Sequence, residues 1–594
     1  MDRDKVLTHM KPAPSIKQRT RLPQLRKFTV LLILPLVVLL ISLQKCTQGA
    51  NIANKLISKD NQTSKYVTAK GSKVDKFLND VFPVGFKWGV GSSAFQIEGG
   101  YQENGKGQSI WDKFTQDSPD NASVSCDSYH KYKEDVLLVK STGAKVYRFS
   151  ISWPRVLPKG TTEIVSKEGL AYYNDLINAL IAAGIEPMVC LFHWDLPQSL
   201  QDGGGWLNQE TVGLFGDYAR LVYQTFGDRV RYWITMNEPF TFCYYGYDEG
   251  IFAPGDKSDP ATHPYSCVHS LIMGHALAYR IYKEEFFTQQ NGKVGISLDN
   301  FWQEPADPNS EQDKLAAQQS YSFRFDWIAY PLFRGEYPPI MRKIIDAKSK
   351  LEGRKESRLP EFDAEWISKV NGSLDFLGIN HFTTQLVKFA NNSTTQNASN
   401  WESDTGTVRS YDPNWPDTGS HWLKVVPEGI RKSLKKIKQD YQNPEVIITE
   451  NGVSVASLGM IMNDLDDLQR IEYHRLYINQ VLKAVKIDGC NVTGYVVWSL
   501  LDGFEWSQRY DTQFGIFHVD HQSPNRTRTP KKSVKVLQQI FRDNGFPSVS
   551  KLHKISVISV SAQENKYSGT TVLLCSAPFA LMFSAYYAYG QLSA

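Results

Sequence analysis

Between residues 85 and 543, short runs rich in Val, Ile, Phe and Tyr alternate with longer stretches whose apolar residues recur at helical spacing. The short runs predict strands over Gly85–Phe95, Lys145–Ser152, Pro187–His193, Tyr232–Glu238, Lys293–Leu298, Asp375–Phe382, Val446–Glu450 and Val492–Trp498. Several are apolar almost throughout, as parallel strands covered on both faces must be. The longer stretches predict helices over Ser128–Ser141, Lys167–Gly184, Glu210–Phe226, Thr262–Phe287, Asp313–Tyr330, Pro427–Tyr441, Asp464–Asp488 and Thr529–Asp543. Eight strand–helix units in succession predict an α/β fold, a (β/α)8 TIM barrel with long βα loops, over residues 75–547. An open doubly wound sheet would carry a Gly-rich phosphate loop after its first strand; Gly89-Val-Gly-Ser-Ser-Ala lacks the third glycine. Residues 387–422 are polar and rich in Asn, Ser and Thr, which predicts an exposed loop.

The flanks follow a different pattern. Phe28 to Leu43 is a run of 16 residues without a charge, preceded by a basic leader and followed by the small residues Thr47 and Gly49. This predicts a secretory signal peptide or signal-anchor over residues 1–49, with 50–74 as a linker. A second apolar run, Val572 to Tyr589, has 18 residues, spanning about 27 Å as a helix. The small residues Ser559, Ser561 and Ala562 and a polar spacer precede it. Residues 548–571 are then a linker, and 572–589 a candidate C-terminal anchor, spanning or lipid-attached. Both flanks place the body in the secretory pathway, secreted or membrane-anchored with its catalytic domain lumenal or extracellular. Eight Asn-x-Ser/Thr acceptors, at Asn61, Asn121, Asn371, Asn391, Asn392, Asn397, Asn491 and Asn525, agree with that setting.

Charge removes one class of function. Residues 1–27 hold eight Lys/Arg against Asp2 and Asp4, so the rest of the chain carries −2 of a total of +4. Such a near-neutral body has no electrostatic footprint for nucleic acid. Among seven cysteines there is no Cys-x-x-Cys pair, and no His, Asp or Glu cluster has metal-ligand spacing, so neither metal nor cofactor is expected. Cys243 and Cys267, 24 residues apart, are the disulfide candidates; such a bridge contributes on the order of 3 kcal/mol.

The chemistry of a (β/α)8 barrel sits at the C-terminal ends of its strands. The predicted strands end at Gln96, Trp153, His193-Trp194, Asn237-Glu238, Asn300, Asn380, Glu450-Asn451 and Trp498. A carboxylate closing a buried apolar strand is costly to desolvate unless it has partners or a task. Glu238 and Glu450, on the fourth and seventh strands, face each other across the barrel mouth. Two such groups suit glycosidic cleavage, and they equally suit a pair of buried ion pairs with Lys or Arg. Indoles and amides would supply stacking faces and hydrogen bonds for sugar hydroxyls.

Thr235-Met-Asn237-Glu238-Pro239 resembles the acid/base motif of glycoside hydrolase family 1, and Ile448-Thr-Glu450-Asn-Gly452 resembles its nucleophile motif. Phe86-Lys-Trp-Gly-Val-Gly-Ser-Ser-Ala-Phe-Gln96-Ile-Glu98, Tyr147-Arg148-Phe-Ser-Ile-Ser-Trp153, Leu191-Phe-His193-Trp194-Asp195-Leu-Pro and Trp498-Ser-Leu-Leu-Asp-Gly-Phe-Glu505-Trp506 are similar to further family blocks, in order, from about Phe82 to Pro547. The likeness is greatest to animal, insect-type β-glucosidases. The resemblance implies a retaining β-glycosidase acting on terminal β-D-glucosides, with galactosides or fucosides as further substrates. Glu450 would be the nucleophile and Glu238 the acid/base, about 5–5.5 Å apart. It further implies that Gln96, His193, Trp194, Asn237, Asn380, Trp498, Glu505 and Trp506 bind the sugar, with Arg148 beside Glu450.

Three positions depart from the family. Phe382 stands where a tyrosine usually donates a hydrogen bond to the nucleophile, so reduced or altered activity is expected. Gly503 replaces the usual asparagine and Arg509 a usual glycine, both bordering the sugar site. The rival readings are a klotho-like binding protein that has lost catalysis, a thioglucosidase and a transglycosylase on the same fold. Both carboxylates are present, which speaks against the first; Glu238, where plant thioglucosidases carry Gln, speaks against the plant type of the second.

Overall fold

A computed structural model describes residues 75–390, 399–456 and 464–548. Eight strands, β1 (Lys87–Gly91), β2 (Val146–Ser150), β3 (Glu186–Phe192), β4 (Tyr232–Asn237), β5 (Lys293–Asp299), β6 (Phe376–Asn380), β7 (Val446–Asn451) and β8 (Val492–Trp498), pair in parallel and close into a barrel, β8 returning to β1. Val146, Met188, Cys190, Ile234, Phe376, Ile447 and Val496 fill one buried cluster of the barrel core. The opposite faces of the strands pack on amphipathic helices, among them Ser128–Thr142, Lys167–Ala182, Glu210–Phe226, His263–Ile281, Glu428–Asp440, Leu468–Lys486 and Lys532–Arg542. Burial on both faces explains why the strands read as unbroken apolar runs.

The structure moves several predicted boundaries. The first strand stops at Gly91, because Ala94–Ile97 turns into a short helix carrying Gln96. Thr529 and Pro530 belong to a short strand paired with Phe517–Val519, so the last helix starts only at Lys532. Trp153, expected at the end of the second strand, instead opens a short helix, Trp153–Val156, beyond β2 and is a core residue that stacks on Tyr218 at 4.9 Å. The predicted exposed loop over 387–422 is corrected in its described part. Thr384–Phe389 pairs with Trp302–Pro305 and with Thr407–Ser410 in a three-stranded sheet, and Trp401 is buried against Phe240 and Tyr244. A polar composition is thus compatible with burial here, because Trp401 contributes apolar area while Asp404 is paired with Arg358 and Ser403 and Thr405 are hydrogen-bonded.

The apolar runs 28–43 and 572–589 lie outside the described residues, as do Asn61, Asn391, Asn392 and Asn397. Among the described residues no helix is long and apolar enough to cross a membrane, and none of their His, Cys, Asp or Glu groups could hold a metal ion. Asn371, Asn491 and Asn525 are exposed and Asn121 is half-buried. A disulfide joins Cys243 to Cys267, tying the short helix Pro239–Tyr247, which follows β4, to the helix His263–Ile281.

Candidate active site

A cleft lined by aromatic side chains and a few convergent polar groups opens at the C-terminal end of the barrel, as small-molecule sites commonly do. Glu238 and Glu450 both line it, with His193, Trp194, Asn237, Trp498, Glu505 and Trp506. Backbone irregularity delivers the two carboxylates. The register of β4 against β5 shifts between Ile234 and Asn237, and that of β7 against β6 shifts between Ile448 and Glu450. Such slips at strand ends re-aim side chains. Glu238 then caps the following helix with φ +47°, Pro239 occupying its first turn. A left-handed backbone at a non-glycine residue is strained, and Trp194 (φ +77°) and Trp506 (φ +52°) share it. Gly452, after Glu450, has no alternative: a Cβ there would lie 1.8 Å from the carbonyl oxygen of Trp498.

One buried amide ties the two halves together. Asn380 Nδ2 donates to Glu238 Oε1 at 2.8 Å and to Asn237 Oδ1 at 2.9 Å. Its Oδ1 accepts from Thr449 Oγ1 at 2.7 Å, the residue beside Glu450. Arg148, with no exposed surface, pairs through Nη1 with Glu450 Oε1 at 2.7 Å and donates through Nη2 to Asn237 Oδ1 at 2.6 Å. Trp194 Nε1 donates to the Asn237 carbonyl at 2.8 Å, and Asn237 Nδ2 lies 3.2 Å from His193 Nε2. His193 lies nearly parallel to both Trp498 and Trp506, 5.9 Å from each. Gln96 donates to Glu505 at 3.2 Å and to the Phe504 carbonyl at 2.9 Å. Asn380, Arg148 and Gln96 therefore stand behind the cleft wall and position the groups that form it.

The electrostatics separate the two carboxyls. Burial, then the Glu450 charge and the Asp299 charge, push Glu238 up to about 8; the hydrogen bonds from Asn380 and Thr241 pull the other way. Burial pushes Glu450 up to about 7, with the Arg148 guanidinium opposing it. Of the two, Glu450 thus gives up its proton first and Glu238 keeps its proton longer. Burial and the neighbouring Glu450 and Asp502 charges hold Glu505 well above the usual carboxylate range. Desolvation and the Arg148 charge hold His193 well below the usual imidazole range, so it stays neutral.

Phe382 lines the same cleft, its ring edge-on to Trp422 and Phe514, and it offers Glu450 no donor. Gly503 sits where a Cβ would meet the Gln96 carbonyl at 2.8 Å, and Arg509 adopts φ +51°, the conformation for which glycine is the usual choice. Sequence reasoning missed the outer wall: Tyr245, Phe252, Phe301 and Trp422 come from loops and a short helix with no periodic signature, and Arg324 sits within the predicted helix Asp313–Tyr330, where nothing marked it as reaching the cleft. It also took Asn300 as the end of β5. Asn300 donates to Tyr321 at 3.0 Å in the core, and Asp299 is the strand-end group whose charge reaches Glu238.

The sequence matches the model of glycosyl hydrolase family 1 over residues 78–546. Human lactase/phlorizin hydrolase is 43% identical over 482 residues, 80% of this chain and 25% of that protein, so the chain spans about a quarter of that relative's length. The solved structure of an aphid myrosinase superposes with a TM-score of 0.74 at 41% identity, covering 78% of this chain and 100% of that one. A rice β-glucosidase mutant in a covalent complex with Glc superposes with a TM-score of 0.73 at 40% identity, covering 77% of this chain and 98% of that one. Motif order, barrel, paired carboxylates and full-length structural match agree: the chain belongs to glycosyl hydrolase family 1.

Proposed function

We propose that the protein is a retaining β-glycosidase that hydrolyses terminal β-D-glucosides by double displacement, with Glu450 as nucleophile and Glu238 as acid/base. The observation that carries this is the pairing of two buried carboxyls in one cleft, with the Arg148 cation on Glu450 and the Asn380 amide on Glu238. Ionised Glu450 attacks the sugar carbon while protonated Glu238 gives its proton to the departing oxygen. The bond formed is an ester, so the Glu450 charge that held Glu238 high disappears. Glu238, having given its proton to the departing oxygen, therefore stays ionised and takes one from water, which displaces Glu450 and releases the sugar with its original configuration. His193, Asn237, Glu505 and Trp506 meet hydroxyls of the sugar, and Trp498 stacks beneath it. Charge on the sugar ring develops only in the transition state, so fixed groups assist by being in place beforehand. The covalent complex of the rice relative supports the ester step.

The test is trapping. Incubation with a slow fluorosugar donor is expected to leave one glycosyl group on the peptide containing Glu450, and proton NMR of natural turnover should show the β-anomer forming first. A first-formed α-anomer, or a label elsewhere, overturns the double displacement.

The apolar runs at 28–43 and 572–589 support a secreted or membrane-anchored glycoprotein, and exposed acceptors at Asn371, Asn491 and Asn525 suit glycans. Release of activity from membranes by a phosphoinositide-cleaving lipase would identify a lipid anchor. One observation favours a second substrate class: similarity to the aphid myrosinase over its whole length keeps thioglucosides in the assay panel.

A further inference from the structure

The cleft has a cation that the reaction, as derived so far, does not use. Arg324, 6% exposed, is the one Arg or Lys among the residues lining it. Its Nε donates to Asp299 Oδ2 at 2.5 Å, which fixes one edge of the guanidinium. Its plane is held by rings, with the guanidinium carbon 4.0 Å from the centre of Phe301 and 4.7 Å from that of Phe240. Among the described residues neither Nη nitrogen has a hydrogen-bond acceptor, although the side chain is more than nine-tenths buried and reaches the cleft. These outer donors open onto the cleft, where an incoming acceptor can reach them.

The position of Arg324 says what enters. Glu238 protonates the departing oxygen, so groups packed around Glu238 and away from the sugar-binding residues face the leaving group. Arg324 is such a group: its charge and that of its partner Asp299 both act on Glu238. The sugar-binding side holds Gln96, His193 and Glu505 instead. Phe301 stacks on Trp422 with rings 5.6 Å apart and 7° from parallel, which sets an aromatic face beside the guanidinium. Ionised Glu450 and Asp299 would repel an anion from this end of the cleft if no cation answered them.

We propose that Arg324 reads an oxyanion on an aromatic leaving group, which makes aryl β-glucosides bearing a carboxylate or sulfonate preferred substrates. This rests on the glycosidase reading of the cleft. The planar fork donates to two oxygens of one anionic group side by side, while the ring carrying them packs beside the stacked Phe301–Trp422 pair. The selectivity appears in binding of the leaving-group half, before and during departure. No new covalent step is involved.

The experiment compares kcat/KM for 4-carboxyphenyl β-glucoside with that for the isosteric 4-carbamoylphenyl β-glucoside, with 4-sulfophenyl β-glucoside as the sulfur oxyanion. The wild-type protein should prefer the carboxylate over the amide about tenfold or more, the size of a charge-assisted pair in a buried site. The sulfophenyl arm shows which oxyanion the fork fits better. Arg324→Met combined with Asp299→Asn, which removes both charges together, should bring the preference to about one, and Arg324→Lys should keep part of it. A wild-type ratio near one, or an unchanged ratio in the double variant, overturns the proposal. Should no glucoside be cleaved by the wild type, the glycosidase reading has failed instead. Calorimetric binding of 4-hydroxybenzoate, present in wild type and absent in Arg324→Met, then tests the anion site by itself.

Discussion

The two halves of the cleft are built differently. Around Glu450 the wall holds His193, Asn237 and Trp498, residues at or just past strand ends, and behind it Arg148 and Asn380 tie Asn237 to both carboxylates through hydrogen bonds and an ion pair. Around the leaving-group path it consists of Tyr245, Phe252, Phe301 and Trp422, aromatic side chains brought by connections between strands. The contrast follows from what each half does. Attack on the sugar carbon tolerates errors of a fraction of an ångström, so its groups stand on the rigid barrel. A leaving group is held by area and stacking, which loops can offer in many arrangements.

Substitutions test that division most sharply at its centre. Glu450→Gln is expected to reduce kcat by about 10⁴-fold or more on every glycoside, because no other group can form the ester. Residual turnover at a tenth of wild type would mean that the inner half is not the chemical half. Glu238→Gln should cost about 10²–10⁴-fold on alkyl glucosides and much less on nitrophenyl glucosides, whose leaving oxygen needs no proton. It should also abolish the basic limb of the pH profile. In the wild type, kcat/KM rises with pH as Glu450 ionises, near the value of about 7 to which burial pushes it, and falls as Glu238, near about 8, loses its proton. A profile with its basic limb intact in Glu238→Gln would assign that limb to another group. In the outer half, Trp422→Ala should lower kcat/KM for aryl glucosides about tenfold and leave methyl glucoside turnover within about twofold, since only aryl groups use its face. Equal losses on both would join the halves that the geometry separates. Least in size, Phe382→Tyr should raise kcat/KM by about fivefold and move the acid limb to lower pH, since a hydroxyl donating to Glu450 stabilises its charged form. An acid limb moving upward would show that the hydroxyl does not reach the carboxylate.

The same division decided what could be read from the chain. Strand order, barrel class and the strand-end residues Glu238, Asn380 and Glu450 were legible because parallel strands leave apolar runs and catalytic groups terminate them. The end of β5 was misplaced by one residue. Asn300 and Asp299 are both polar, and only the pleat decides which faces the cleft. Phe301 and Trp422 left no trace, since no periodicity governs a loop, and Arg324, though inside the predicted helix Asp313–Tyr330, meets them only through the folding of separate connections. Residues 387–422 misled for a related reason: polar composition concealed the strands Thr384–Phe389 and Thr407–Ser410 and two buried anchors, Trp401 and Asp404, the latter paired with Arg358. Polarity reports the average of a segment, whereas its placement depends on the few side chains that find partners in the interior.

The turn at Glu238 carries a consequence for how this protein ages under mutation. A side chain held at φ +47° costs the fold roughly 1 kcal/mol that glycine in the same place would not. Glu238→Gly would relieve that strain while removing the proposed acid/base, so stability and the proposed chemistry pull in opposite directions at this one turn.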